Sequence, residues 1–192
     1  MSKKNILILI LVILFAGIAI RFAYMSFFLW IEHEIYVQER PVYTLFCQVE
    51  NKYRHRIDLI KAYAKCQQET TQADNQLVAL VATADSIANI KIDHHDTRSL
   101  QQYTTAQEKL YKKACAEINK CEYIYPELKS DDILKNLHEQ LLATEDCILI
   151  EQKLYNKEVN MYNSKINKFP FSLLRIKELP MWTIGSNDQY SS

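Results

Sequence analysis

DDILKNLHEQLLATEDCILIEQKLYNKEVNMYNSKINKF, residues 131–169, decides the fold. It holds neither Gly nor Pro, and large apolar or aromatic side chains recur every seventh residue: Leu134, Leu141, Ile148, Tyr155, Tyr162 and Phe169. Seven residues are close to two α-helical turns, so all of these fall nearly on one line of a helix. A second row runs beside them, Leu137 and Thr144 three residues after first-row members, then Val159 and Ile166 four residues after. The change from three to four is the slip of about 20° per heptad that a straight helix shows against a 3.5-residue repeat. Such a helix is about 58 Å long at 1.5 Å per residue. Its stripe needs a partner along the whole length. Ser130 or Asp131 suits the N-cap, Asp131 and Asp132 the positive end, Lys165 and Lys168 the negative end, and Pro170 the close.

Upstream lie the candidate partners. Residues 99–124 read as a helix with a face of Leu100, Tyr103, Ala106 or Gln107, Leu110, Ala114, Glu117 or Ile118, and Cys121. Pro126 ends it, because the residue before a proline avoids the α region. Residues 91–98, KIDHHDTR, form a polar turn. Asp93, His94, His95 and Asp96 are metal-binding residue types, but helical neighbours face apart and loop neighbours need ligands from elsewhere. The run is therefore read as an exposed turn. Residues 42–90 are helical again, with Phe46, Val49, Tyr53, Ile57, Ile60 and Ala64, then Leu77, Leu80, Val81, Ala84, Ile87 and Ala88, at three-and-four spacing. Between these halves, CQQETTQADNQ (66–76) is either a solvated face or a break capped by Thr71 or Asp74. Pro41 either starts a helix or kinks one that continues.

Residues 5–28 carry Arg21 as their one charge and are long enough to cross a bilayer, which takes about 20 residues. Arg21 lies near one end, where it can snorkel, and Tyr24 and Trp30 suit the interface. A cleaved signal peptide and an uncleaved signal anchor share this pattern. The apolar character continues to Ile31 with no small-x-small site before a polar start, which favours the anchor. Lys3 and Lys4 put the N-terminus on the cytoplasmic side and the following domain on the outer face, periplasmic or extracellular. Past Pro170, residues 171–183 form a short apolar segment, too short to span, that packs on the bundle or touches the membrane surface. Residues 184–192 read as a disordered tail. The organisation is thus a short N-terminus (1–4), a transmembrane signal anchor (5–28), a helical bundle (32–170), the apolar segment and the tail. The fold class is all-α, an N-terminal transmembrane helix followed by an antiparallel up-and-down bundle of long helices.

Composition agrees. Two Gly and four Pro are few for sheets and tight turns. The net charge is zero, from 23 basic and 23 acidic residues, and no basic run marks a nucleic-acid face. Cys47, Cys66, Cys115, Cys121 and Cys147 include no C-x-x-C pair, and most are expected to be small buried apolar residues.

The region from Tyr125 onward resembles the LemA family. Tyr125-Pro126-Glu127-Leu128-Lys129 matches its lead-in, Thr144-Glu145 its T-E pair, Tyr155-Asn156 and Tyr162-Asn163 its two Y-N dipeptides, and Phe169-Pro170 its terminal F-P. Arg54-His55-Arg56-Ile57-Asp58-Leu59-Ile60 is similar to the family's basic pair followed by D-L-I, which places Arg56, Asp58 and Leu59 among the motif residues. Lys61-Ala62-Tyr63-Ala64 replaces the usual P-N-L-V, and Phe46 falls where a Trp is common, so the resemblance is to a divergent member. It implies a membrane-anchored antiparallel bundle and brings no enzymatic reaction or cofactor with it.

The function expected is that of a scaffold or interaction module without catalysis. Its partners would be the membrane, crossed once, other membrane or envelope proteins, and a second copy of the chain; nucleic acid is not among them. The alternative is a bundle with a core metal or enzymatic site built from carboxylates and His, for which His138-Glu139, Glu145, Glu151 and Glu158 are the available residues. Asn156 and Asn163, seven apart and each beside a stripe Tyr, resemble the buried Asn that fixes coiled-coil register. On that precedent, Asn163→Leu changes oligomeric state or partner binding.

Overall fold

The computed structural model describes residues 3–70, 75–125 and 131–182. The candidate caps Thr71, Asp74 and Ser130, the lead-in residues Pro126 to Lys129 and the tail 184–192 lie outside them. The described residues contain the helices α1 (Lys3–Thr70), α2 (Asn75–Ala88), α3 (Thr97–Ile124) and α4 (Asp132–Ile166), then a 3-10 turn at Phe171–Leu174.

The first helix is longer than its sequence suggests. Pro41 lies inside it, and α1 runs through as 68 continuous residues, about 100 Å at 1.5 Å per residue. The proline ring cannot donate to the carbonyl four residues back, yet Val42, the next residue, is already in the core. Burial decides the outcome here. Ile31, Ile35, Val42, Phe46, Val49, Tyr53, Ile57 and Ile60 make one inward stripe across the proline, and a break would take half of it off the core.

Cross-helix pairs fix the topology. Arg56 meets Glu145 and Glu34 meets Lys165, so α4 runs antiparallel to α1. Lys61 pairs with Asp85, Lys120 with Gln76, and Glu122 with His138, making each successive pair of helices antiparallel. The bundle is up-down-up-down, held by a continuous apolar core. Asp96 caps α3 by accepting from Arg98 and Ser99 amides, and Asp131 caps α4 by accepting from Ile133 and Leu134.

The seven-residue stripe of α4 is buried at Leu134, Leu141, Ile148, Tyr155 and Tyr162, but Phe169 is 78% exposed. The helix stops at Ile166, with Asn167 as its C-cap. The residue before Pro170 is disfavoured in the α region, so the line cannot reach Phe169. The cysteines also differ from expectation. Only Cys121 is buried, Cys47, Cys66 and Cys115 are half-buried, and Cys147 is exposed.

The 14-residue α2 covers only the end of the bundle remote from the apolar segment. At the near end, the turn 89–96 and the stretch 175–182 complete the wall. The latter is a strap without regular secondary structure, and its Trp182 is 2% exposed among Phe46, Tyr53, Tyr103 and Tyr155. Of the two placements open to the short apolar segment, its described part takes the one on the bundle.

Candidate functional site

Helical spacing puts Arg56 on the same face of α1 as Tyr53 and Ile60, so its charge is carried into the core, where it is 1% exposed. A buried guanidinium is costly unless its donors are used. Nη1 donates to Glu145 Oε2 at 2.6 Å and Nη2 to Gln107 Oε1 at 3.4 Å. The guanidinium carbon lies 5.0 Å from the ring centres of both Tyr53 and Tyr111. Gln107 Nε2 donates to Tyr103 Oη at 2.9 Å, and Gln152 Nε2 donates to Tyr53 Oη at 2.7 Å. Burial raises the Tyr53 hydroxyl well above its ordinary value and pushes Tyr103 up to about 12. Both therefore stay neutral and serve as hydrogen-bonding groups. The cluster joins α1, α3 and α4 through their middles.

The other motif residues spread around this centre. Thr144 is buried and its hydroxyl donates to the Gln140 carbonyl. Leu59 lies in the core, while Asp58 is exposed. Tyr125 closes α3, its amide donating to the Cys121 carbonyl. Glu145 is taken by Arg56, and His138 Nδ1 lies 2.9 Å from Glu122 Oε1. Among the described residues, Glu145, Glu151, Glu158 and His138 form no three-ligand group.

Asn156 and Asn163 bind the strap. Asn156 Nδ2 donates to the Trp182 carbonyl at 2.9 Å, and the Trp182 amide donates back to Oδ1 at 2.8 Å. Asn163 repeats the pair with Leu179, at 2.9 Å both ways. A side-chain amide presents one donor and one acceptor side by side, as a backbone peptide does, so each Asn replaces one rung of a β-ladder. Tyr155 Oη adds a bond to the Pro180 carbonyl. The two asparagines thus hold an irregular segment of their own chain, in place of the coiled-coil register contact expected of them.

A third group lies where the turn 89–96 crosses α1. His94 Nε2 is 3.6 Å and His95 Nε2 3.3 Å from Glu39 Oε1. The Tyr43 and Phe46 rings flank His94 at 5.2 and 5.3 Å. Burial first, and the adjacent His95 second, lower the His94 pKa below its ordinary 6.5. The turn is exposed, as its polarity predicts, but no spacing rule links residue 39 to residues 94 and 95. Spacing offers Ala106 or Gln107 for the α3 face, and Gln107 is the buried one; Gln152 leaves no such signal, since a polar residue on a core face reads as an interruption. Trp182 did leave a signal, a lone indole in a short apolar stretch after a helix-ending proline.

Among the described residues, an antiparallel bundle of four α-helices with a centrally paired arginine, an asparagine-clamped strap and an apolar leading segment defines an all-α bundle protein. The chain belongs to the LemA family, whose model matches residues 45–187. Arg56, Glu145, both asparagines and Trp182 fall inside that match; Glu39 and the apolar half of α1 precede it. No curated protein and no solved structure matches the chain.

Proposed function

We propose that the protein is a membrane-anchored scaffold or interaction module, not an enzyme, with α1 crossing the bilayer once and the bundle on the outer face. One observation carries this reading: the change in the surroundings of α1 at Ile31. Before it, Leu11, Phe15, Ile20 and Phe22 are each more than half exposed along a helix long enough to span. From Ile31 on, the same helix has a buried face. A water-exposed apolar surface of that extent is unfavourable by about 25 cal/mol per Å², so a bilayer suits it. Lys3 and Lys4 ahead of the span favour a cytoplasmic N-terminus.

The interaction role draws on α4. Its outward face carries Cys147, Ile150, Leu154 and Met161, spaced three, four and seven residues apart and all exposed. This is the spacing of a second helical stripe, on the side away from the core. The Arg56 cluster, by contrast, lies inside the bundle, with both Nη atoms of the arginine bonded within it and the buried Nε without a partner among the described residues.

A C-terminal reporter that is active only outside the cytoplasm tests the topology, and activity inside overturns it. A photo-crosslinking residue at Leu154, compared with one at exposed Lys135, tests the surface in intact membranes. A discrete product from position 154 alone is expected. Equal products from both positions, or none from 154, would sink the interaction reading.

A further inference from the structure

We propose that Glu39, His94 and His95 bind a zinc-class divalent cation and so pin the turn 89–96 to α1. Their ligand atoms all lie within 4.8 Å of one another. Tetrahedral zinc holds nitrogen and oxygen at about 2.0–2.2 Å, which makes the ligand–ligand edges about 3.3–3.5 Å. The two edges that involve Glu39 measure 3.3 and 3.6 Å. A direct charge-assisted hydrogen bond would be shorter, about 2.7–2.9 Å. The spacing therefore fits three donors around a shared ion better than imidazoles bonded to a carboxylate. The third edge, between the two imidazoles, is within 4.8 Å, and the His95 side chain is 54% exposed.

The local backbone explains how neighbouring residues can converge. Helical neighbours point about 100° apart, but His94 and His95 sit in a turn that puts their ring centres 3.9 Å apart. The Asp93 carboxylate accepts from the His95 amide at 2.9 Å and holds that turn, while Tyr43 and Phe46 fix the His94 ring from the α1 side. Two imidazoles and one carboxylate suit zinc and its transition-metal neighbours, whereas calcium and magnesium prefer all-oxygen sets. It is also a three-ligand set that leaves a fourth position for water. A cleft of about 380 Å³, with Tyr36, Arg40 and Thr44 in its wall, shares Glu39 and His94 with the site and gives that water room.

The test is calorimetric titration of zinc chloride into the chelator-treated full chain in detergent micelles. One equivalent is expected to bind. Affinity should fall by about tenfold or more in Glu39→Gln and in the His94→Ala/His95→Ala double variant, and stay unchanged in His138→Ala. Glu39→Gln keeps shape and helicity, so it gives a result even if the histidine variant misfolds. Cobalt(II) in place of zinc should give tetrahedral d–d absorption without a thiolate charge-transfer band. The absence of a one-equivalent site, undiminished binding in Glu39→Gln, or a thiolate band that disappears in Cys47→Ser overturns the proposal.

Discussion

Arg56 and Glu145 form one pair with two unequal ends. The arginine is 1% exposed and the glutamate side chain 26% exposed. Removing the glutamate leaves a guanidinium in the core with one long bond to Gln107 and two ring faces. Removing the arginine leaves a carboxylate that can turn to water. Glu145→Ala is therefore expected to destabilise the full chain by about 2–4 kcal/mol, and Arg56→Met by less, about 1–2 kcal/mol. Denaturant unfolding in micelles, followed by helical circular dichroism, reads both; a larger loss for Arg56→Met would contradict the asymmetry. The resemblance names both residues of this pair, and Glu145 also stands among the candidate carboxylates, but neither reading joins the two. Spacing puts Arg56 on the inward face of α1, but a lone basic residue there does not reveal that Glu145 waits opposite. Spacing offers Gln107 as one of two choices on the α3 face, but its contact with Arg56, and that of Gln152 with Tyr53, appear only when the helices are brought together.

At the level of elements, the strap is the part that periodicity could not reach. It has no regular secondary structure, so neither the helical nor the strand period marks it. Its position depends on Asn156 and Asn163, whose seven-residue spacing matches about two helical turns and places both amides on one face of α4. They provide four bonds to strap backbone, each worth about 0.5–1.5 kcal/mol net. The double variant Asn156→Leu/Asn163→Leu should therefore release residues 175–182 while the helices persist. In a Trp30→Phe background, Trp182 emission is expected to shift to the red, and proteolysis is expected between Arg175 and Trp182. Unmoved emission with no new cleavage would mean that apolar packing alone holds the strap. Trp182→Ala should cost about 3–5 kcal/mol by the usual large-to-small rule, read as a lower unfolding midpoint. A loss under 1 kcal/mol would mean that the indole does not help to close the core. The helices themselves were far more legible. The α4 heptads give five buried positions, and the α3 face is buried at Leu100, Tyr103, Gln107, Leu110, Ala114, Ile118 and Cys121. The mismatch fell at a helix end, where α4 stops before Phe169; at Pro41 the helix continues, one of the two readings the sequence leaves open.

For the whole molecule, α1 makes the apolar segment and the first bundle helix one rod, so the bundle is carried without a hinge among the described residues. The packing that this rod organises is rich in tyrosine. Tyr53, Tyr63, Tyr103, Tyr155 and Tyr162 are buried, and Tyr111 packs against them half-buried. Burial raises every one of these hydroxyls above the ordinary 10.0, with Tyr103 and Tyr162 pushed up to about 12. The direction of the linkage follows. Below pH 10 both folded and unfolded chains keep their phenolic protons, so the full stability is present. Above it the unfolded chain releases protons that the folded chain retains, so stability falls as pH rises toward the folded values. Tyr103 alone withdraws about 2–3 kcal/mol across its shift, from about 1.4 kcal/mol per pKa unit. That is a large share of the roughly 5–15 kcal/mol of a typical domain. The buried set should ionise together in one cooperative step between about pH 10 and 12 that coincides with loss of helical signal. Tyrosinate absorbance and circular dichroism recorded on the same alkaline titration check this; smooth ionisation of all 12 tyrosines with the helices still intact would contradict it.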